Sequence, residues 1–103
     1  MVARVAVFEG MDMEAAQASM DEAEAVIRPL VQGLSGYAGR FDLASPEGGF
    51  IAVTLFDTME NAEAAEPTFD EEMPRRLGDL FEDWEGRRIS VDRYTVLSES
   101  RSY

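Results

Sequence analysis

Phe50 to Phe56, FIAVTLF, is apolar on both of the faces that a strand presents. Successive strand side chains point to opposite sides, so Ile51, Val53 and Leu55 share one face while Phe50, Ala52, Thr54 and Phe56 share the other. Val2 to Phe8, VARVAVF, behaves the same way, with Val5 and Val7 opposite Ala6 and Phe8. An antiparallel sheet with one face in water alternates polar with apolar residues. A sheet built from these strands must instead be covered twice. Helices supply one cover, and the simplest second cover is another copy of the same sheet. That predicts an isologous homodimer burying on the order of 1,200–2,000 Å² or more. The chain has 103 residues, the size of a single domain, 1–103. Alone it would hide only about 60–70% of the surface its unfolded chain exposes, so a partner adds needed burial.

The other elements follow from periodicity. From Asp12 the apolar residues Ala16, Met20, Ala23, Ile27, Leu30 and Leu34 recur at steps of three and four, the spacing of an amphipathic helix. Pro29 should kink or restart its last turns. Tyr37 to Ala44 reads as a second strand, joined to Phe50–Phe56 by the turn Ser45-Pro-Glu-Gly-Gly49, an antiparallel hairpin. Asp57 to Glu60 suits a helix start with capping acceptors. A second capping box is predicted at Thr68 and Glu71, after a break at Pro67. Phe69, Met73, Leu77, Leu80, Phe81 and Trp84 form the apolar face that follows. Pro74 implies two or three helical pieces. Ile89 to Leu97 is the last strand, and 98–103 is a polar tail. The order β-α-β-β-α-β defines an α+β, ferredoxin-like fold: a four-stranded antiparallel sheet with both helices on one face.

Composition narrows the chemistry. The chain has no histidine, cysteine or lysine, and its nine basic residues are all arginine. Haem ligation by His or Cys, thiolate zinc sites and Ser-His-Asp or Cys-His triads are thereby excluded. No metal site is expected: Asp79, Glu82 and Asp83 lack the loop spacing of a calcium site and read as a solvated acidic face. The net charge of −12 makes nucleic acid and anionic membranes poor partners. No apolar run approaches a membrane span, so a soluble, cytoplasmic protein is expected. RNA-recognition domains share the strand order. Here, however, Glu47 and Gly48 replace their basic lead-in, and Ala52 replaces the central stacking aromatic.

Three stretches carry a family resemblance: Gly33-Leu-Ser-Gly-Tyr-Ala-Gly-Arg40, Ser45-Pro-Glu-Gly-Gly49, and Val53-Thr-Leu-Phe-Asp-Thr58 followed by Glu60, Asn61 and Ala62. Together they resemble the dimeric α+β barrel superfamily, and within it the antibiotic-biosynthesis-monooxygenase-like domains, over residues 3 to 97. The resemblance implies dimers whose sheets face each other. It also implies, for some members, cofactor-free oxygenation of activated polycyclic phenols in a dry pocket. The strand-three aromatic, often Trp in the family, is Phe56 here. Asn61 lies at the start of the second helical region, and Trp84 lies late in it. No catalytic residue transfers.

Two functions from different classes remain open on these grounds. The first is binding of a small apolar or aromatic molecule, without a cofactor, in a cavity between sheet and helices. The alternative is a cofactor-independent monooxygenase acting on a phenolic, polyketide-like substrate. Tyr37, Phe41, Phe56, Trp84 and Tyr94 are the candidate lining residues, though each also suits an ordinary core. Tyr94, Tyr37 and Arg93 are the polar groups to test for catalysis. Of Asp92 and Arg93, one must face a covered side, where an unpaired charge is costly. An ion pair across the dimer explains it in one way, and an arginine holding an anion or phenolate in another.

Overall fold

The structure, a computed structural model, describes residues 1–99; of the expected polar tail, residues 100–103 lie outside the described residues. The strands are β1 (Val2–Glu9), β2 (Tyr37–Ala44), β3 (Phe50–Phe56) and β4 (Arg87–Thr95). They form one sheet in the order β2-β3-β1-β4 with every neighbouring pair antiparallel. Helix α1 (Met13–Gln32) crosses from β1 to β2. The second crossover is broken into α2 (Met59–Ala64), a π-helical turn (Thr68–Glu72), α3 (Met73–Leu77) and α4 (Asp79–Asp83). This is the ferredoxin-like plan expected from the order of apolar patterns.

Local chemistry explains most boundaries. Asp12 caps α1 by accepting from the Ala15 amide at 3.0 Å, and Thr58 caps α2 by accepting from the Asn61 amide at 3.1 Å. Helix α1 runs unbroken through Pro29 to Gln32, because Ile27 and Val31 are buried on either side of the proline and hold the last turn to the core. The capping box expected at Thr68 does not form. Pro67 already has helical backbone angles and no side-chain cap is made, so the chain continues into the wider π-helical turn. Strand β4 begins two residues before the expected Ile89, since Arg87 and Arg88 pair with Glu9 and Phe8 of β1.

The strand register sorts the sheet into transverse rows. On the helix side they read Tyr37–Phe56–Val2–Thr95, then Arg40–Thr54–Arg4–Arg93, then Asp42–Ala52–Ala6–Val91, then Ala44–Phe50–Phe8–Arg88. Two core clusters lie above them. One gathers Phe56, Val2, Ala62 and Ala65, and the larger joins Ile27 and Val31 of α1 to Phe50, Leu77 and Trp84. On the opposite side the rows are Phe41–Val53–Val5–Asp92 and Leu43–Ile51–Val7–Ser90, with Leu55, Ala3 and Tyr94 beyond. Nothing among the described residues covers this second face, where Phe41, Leu43 and Tyr94 are each half exposed. Both faces are therefore apolar, as the strand sequences required.

A β-bulge between Tyr37 and Gly39 decides which residues of β2 face the helices. Gly39 adopts a φ of +142°, which L side chains rarely take, and the extra residue reverses the alternation. Tyr37 and Phe41 would share a face in a regular strand. Here Tyr37 faces the helices and Phe41 the open side, leaving Arg40 and Asp42 beneath α1.

Candidate functional site

Between sheet and helices lies a cavity of about 250 Å³. Its floor is the row that holds Ala52 and Ala6, whose methyl side chains leave unfilled the space that larger residues occupy on either side. Phe8 and Phe50, ring centroids 6.1 Å apart, close one end. Met20, Ile27 and Val31 of α1 form one wall. Phe69, Met73, Leu77, Phe81 and Trp84 of the broken crossover form the other. The Trp84 indole N–H donates to Ser19 Oγ at 2.8 Å, so the ring is fixed and its polar atom satisfied.

Charged groups enter this apolar chamber at three places. Arg4 is the most buried charge among the described residues, its side chain only 3% exposed. Its Nε and Nη2 donate as a fork to the two carboxylate oxygens of Glu66, at 2.7 and 3.2 Å. The Phe69 ring lies 3.9 Å from the centre of the guanidinium, a cation–π contact. Arg93, next in the same row, donates to the same Glu66 at 3.0 Å. At the β2 edge Arg40 donates to both oxygens of Glu24, at 2.7 and 3.0 Å, and to Asp42 at 3.0 Å. At the far side Arg88 donates to Asp70 at 2.6 Å.

The two carboxylates that share Arg40 are pushed in opposite directions. The hydrogen bond from Arg40 holds Glu24 below its ordinary range despite some burial. Burial raises Asp42, which the neighbouring Arg40 offsets only in part. Asp42 thus stands in the cavity wall as a carboxylate with a raised proton affinity, beside a permanent cation. Among the described residues no group of three carboxylates is placed to hold a metal ion, and no helix is long and apolar enough to cross a membrane.

The five aromatic residues proposed from the sequence separate. Trp84 lines the cavity. Phe56 is fully buried and fills the small core cluster, and Tyr37 packs at the rim of the larger cluster; neither lines the cavity. Phe41 and Tyr94 are 50% and 56% exposed on the opposite face, a correction to their expected placement. The bulge in β2 explains the first. Strict alternation explains the second, since Arg93 points toward the helices and its neighbour Tyr94 must point away. Of Asp92 and Arg93, it is Arg93 that faces the helices. Its partner, however, is Glu66 of its own chain rather than an acid across a dimer. Sequence reasoning missed Arg4, Arg40, Asp42 and Thr54. Their signal was present: an arginine at a position of β1 whose neighbours two residues away, Val2 and Ala6, are core residues, and a glycine inside β2 that marks a bulge.

No family model and no curated protein matches the sequence. Solved structures do match its fold. A dimeric ferredoxin-like protein from an uncultured marine organism superposes with a TM-score of 0.70 at 13% identity, covering 99% of this chain and 100% of its own. Candidate antibiotic biosynthesis monooxygenases from Bordetella bronchiseptica (TM-score 0.66, 15% identity, 94% and 97% covered) and Deinococcus radiodurans (0.64, 10%, 100% and 99%) share it too. The chain therefore has the ferredoxin-like fold of these monooxygenase-like proteins over nearly its whole length, in agreement with the resemblance seen in the sequence. At such identities the likeness is one of fold.

The opposed carboxylates give a pH prediction. Glu24, depressed in the folded state, contributes stability that is present above its unfolded pKa and lost as pH falls through its folded value. Asp42, raised in the folded state, acts oppositely: its ionisation costs stability as pH rises through its folded value. Urea midpoints measured from pH 6 to pH 3 should therefore fall less steeply in Glu24→Gln than in the native chain, and more steeply in Asp42→Asn.

Proposed function

We propose that the chain is a homodimeric binding protein whose cavity holds a small apolar or aromatic molecule. The observation that carries this reading is the alanine floor. Ala6 and Ala52 stand opposite each other at the middle of the sheet, where larger residues would have completed the core. The resulting 250 Å³ is near the small end of ligand pockets and suits a body of one or two fused rings. Its walls are mainly aromatic and aliphatic, with a few polar groups at fixed points, the composition that small-molecule sites share.

The second sheet face supports the dimer. A contiguous patch of Phe41, Leu43, Val5, Val7, Ile51, Val53 and Leu55 is what an isologous sheet-to-sheet contact would bury, and a structural neighbour is itself described as dimeric. In that arrangement the two cavities lie on the outer sides of the paired sheets, one per subunit.

Asp42 supports a second reading, cofactor-independent oxygenation of a phenolic substrate. A carboxylate with raised proton affinity inside an apolar cavity is suited to accept a phenolic proton, and Arg40 beside it to steady the negative charge left behind. On this reading the catalytic role first sought at Tyr94, Tyr37 and Arg93 moves to Asp42 and Arg40.

Three measurements follow. A ligand such as 2-naphthol, at about a hundred times its dissociation constant, should add roughly 2.7 kcal/mol of stability and raise the melting temperature by several degrees. Ala52→Leu, which fills the floor, should abolish that shift while keeping the circular dichroism spectrum of the native fold. Sedimentation equilibrium at micromolar concentration should give a dimer, and Leu43→Glu, at a half-exposed position of that face, a monomer; a native monomer would defeat the account of the open face. On the second reading, oxygen uptake with a two-ring activated phenol such as 1,4-dihydroxynaphthalene should be measurable and should drop at least tenfold in Asp42→Asn. Binding without uptake would leave the protein a carrier.

A further inference from the structure

Arg4 has more donors than its protein partners use. Nε and one hydrogen of Nη2 are committed to Glu66, and Phe69 covers the face of the guanidinium. Among the described residues Nη1 has no hydrogen-bond partner, yet no buried polar side-chain atom is left both sealed and unpaired. Nη1 is therefore accessible, and with the side chain 3% exposed the space it reaches is the cavity that Arg4 lines. Thr54 stands directly opposite Arg4 in the neighbouring strand, 3% exposed, and its hydroxyl is in the same position: no partner among the described residues, and not sealed.

Two donors without a partner among the described residues thus stand at facing register positions and line one apolar chamber. The local charge favours a negative partner. Arg4 and Arg93 share the single carboxylate of Glu66, leaving one positive charge uncompensated in a protein whose net charge is −12. Of the two acids in the same cavity wall, Asp70 is paired with Arg88, and Asp42 shares Arg40 with Glu24, which Arg28 also meets at 3.6 Å, so neither acid is left to answer the surplus at Arg4. The fork to Glu66 and the stacked Phe69 hold the guanidinium plane still, so no rotamer freedom is lost when an acceptor arrives.

We infer that the ligand is an aromatic acid: a fused-ring body on the alanine floor, carrying an anionic oxygen that accepts from Arg4 Nη1 and the Thr54 hydroxyl. This rests on the cavity being a binding site and specifies its chemistry. Carboxylate and phenolate oxygens both meet the requirement, and both present the charge-assisted acceptor that a buried arginine recognises.

The test compares 2-naphthoate with 2-naphthamide, a neutral molecule of the same shape, by isothermal titration calorimetry at pH 7. The native protein should bind the naphthoate at least ten times more tightly. Arg4→Met should remove that preference, lowering naphthoate affinity by about 10- to 100-fold while leaving the amide nearly unchanged. Thr54→Val, close in size to the native residue and independent of the Glu66 network, should lower naphthoate affinity about tenfold; it serves where Arg4→Met fails to fold. Equal binding of the two probes, or a Thr54→Val variant that binds naphthoate as well as the native chain, would overturn the inference and leave the cavity reading intact. Failure of both probes to bind the native protein would overturn the cavity reading and the inference with it. Phenolates are distinguished by repeating the series with 2-naphthol above and below its own pKa, where tighter binding of the ionised form is expected.

Discussion

Arg4 carries a full positive charge almost entirely out of water, and an ion so placed costs several kcal/mol unless it is matched. Glu66 matches it from the second crossover, just after α2 and 62 residues away in the chain. That single pairing fixes where the crossover can go. Pro67 follows at once, and the π-helical turn that begins at Thr68 carries Phe69 over the guanidinium. From there Met73 and Leu77 descend as one wall of the cavity. Removing one partner of a buried pair is strongly destabilising, because the other is left charged and unmatched. Arg93 eases that constraint by sharing Glu66 from a partly exposed position.

The cavity and the open sheet face are two consequences of one pattern. Strands apolar on both sides can be served by helices on one side only, and here the helices do not fill even that side. Large residues stand in the first and last of the helix-facing rows, Phe56 in one and Phe8 with Phe50 in the other. Small residues stand between, and at the sides of the chamber the gap is rimmed by ion pairs rather than closed by side chains. Close-packed interiors hold few voids larger than a water molecule, and this one is larger. The proposed function divides labour between the faces: the outer face, with Leu43 and Phe41, would serve association, and the inner face a guest.

Element order, the hairpin, the first helix and a sheet apolar on both faces were all legible, because they depend on periodicity and on the number of apolar faces. Three features were not. The π-helical turn arises from Pro67 meeting the geometry demanded by the Arg4–Glu66 pair, a tertiary constraint that propensity does not register. The face of Phe41 depends on one bulge at Gly39, and a one-residue slip inverts every later side chain. Choosing aromatic residues as cavity lining joined Tyr94 to Arg93, adjacent positions that an extended strand sends to opposite sides. The residues that do set the chamber apart are two alanines, and small residues give no positive sign of the space above them.

The absence of lysine acquires a physical reading at this level. Arg4 and Arg40 each use a planar fork to hold both oxygens of one carboxylate; Arg4 also stacks on a ring, and Arg40 also serves a second acid. An ammonium on a flexible stem offers neither the fork nor the flat face, and it loses its proton more readily when buried. In an apolar chamber a lysine at position 4 would be driven toward the neutral amine, leaving Glu66 with Arg93 alone. Arginine stays charged under the same burial, which is the condition for a fixed cation to remain available to something that enters the cavity.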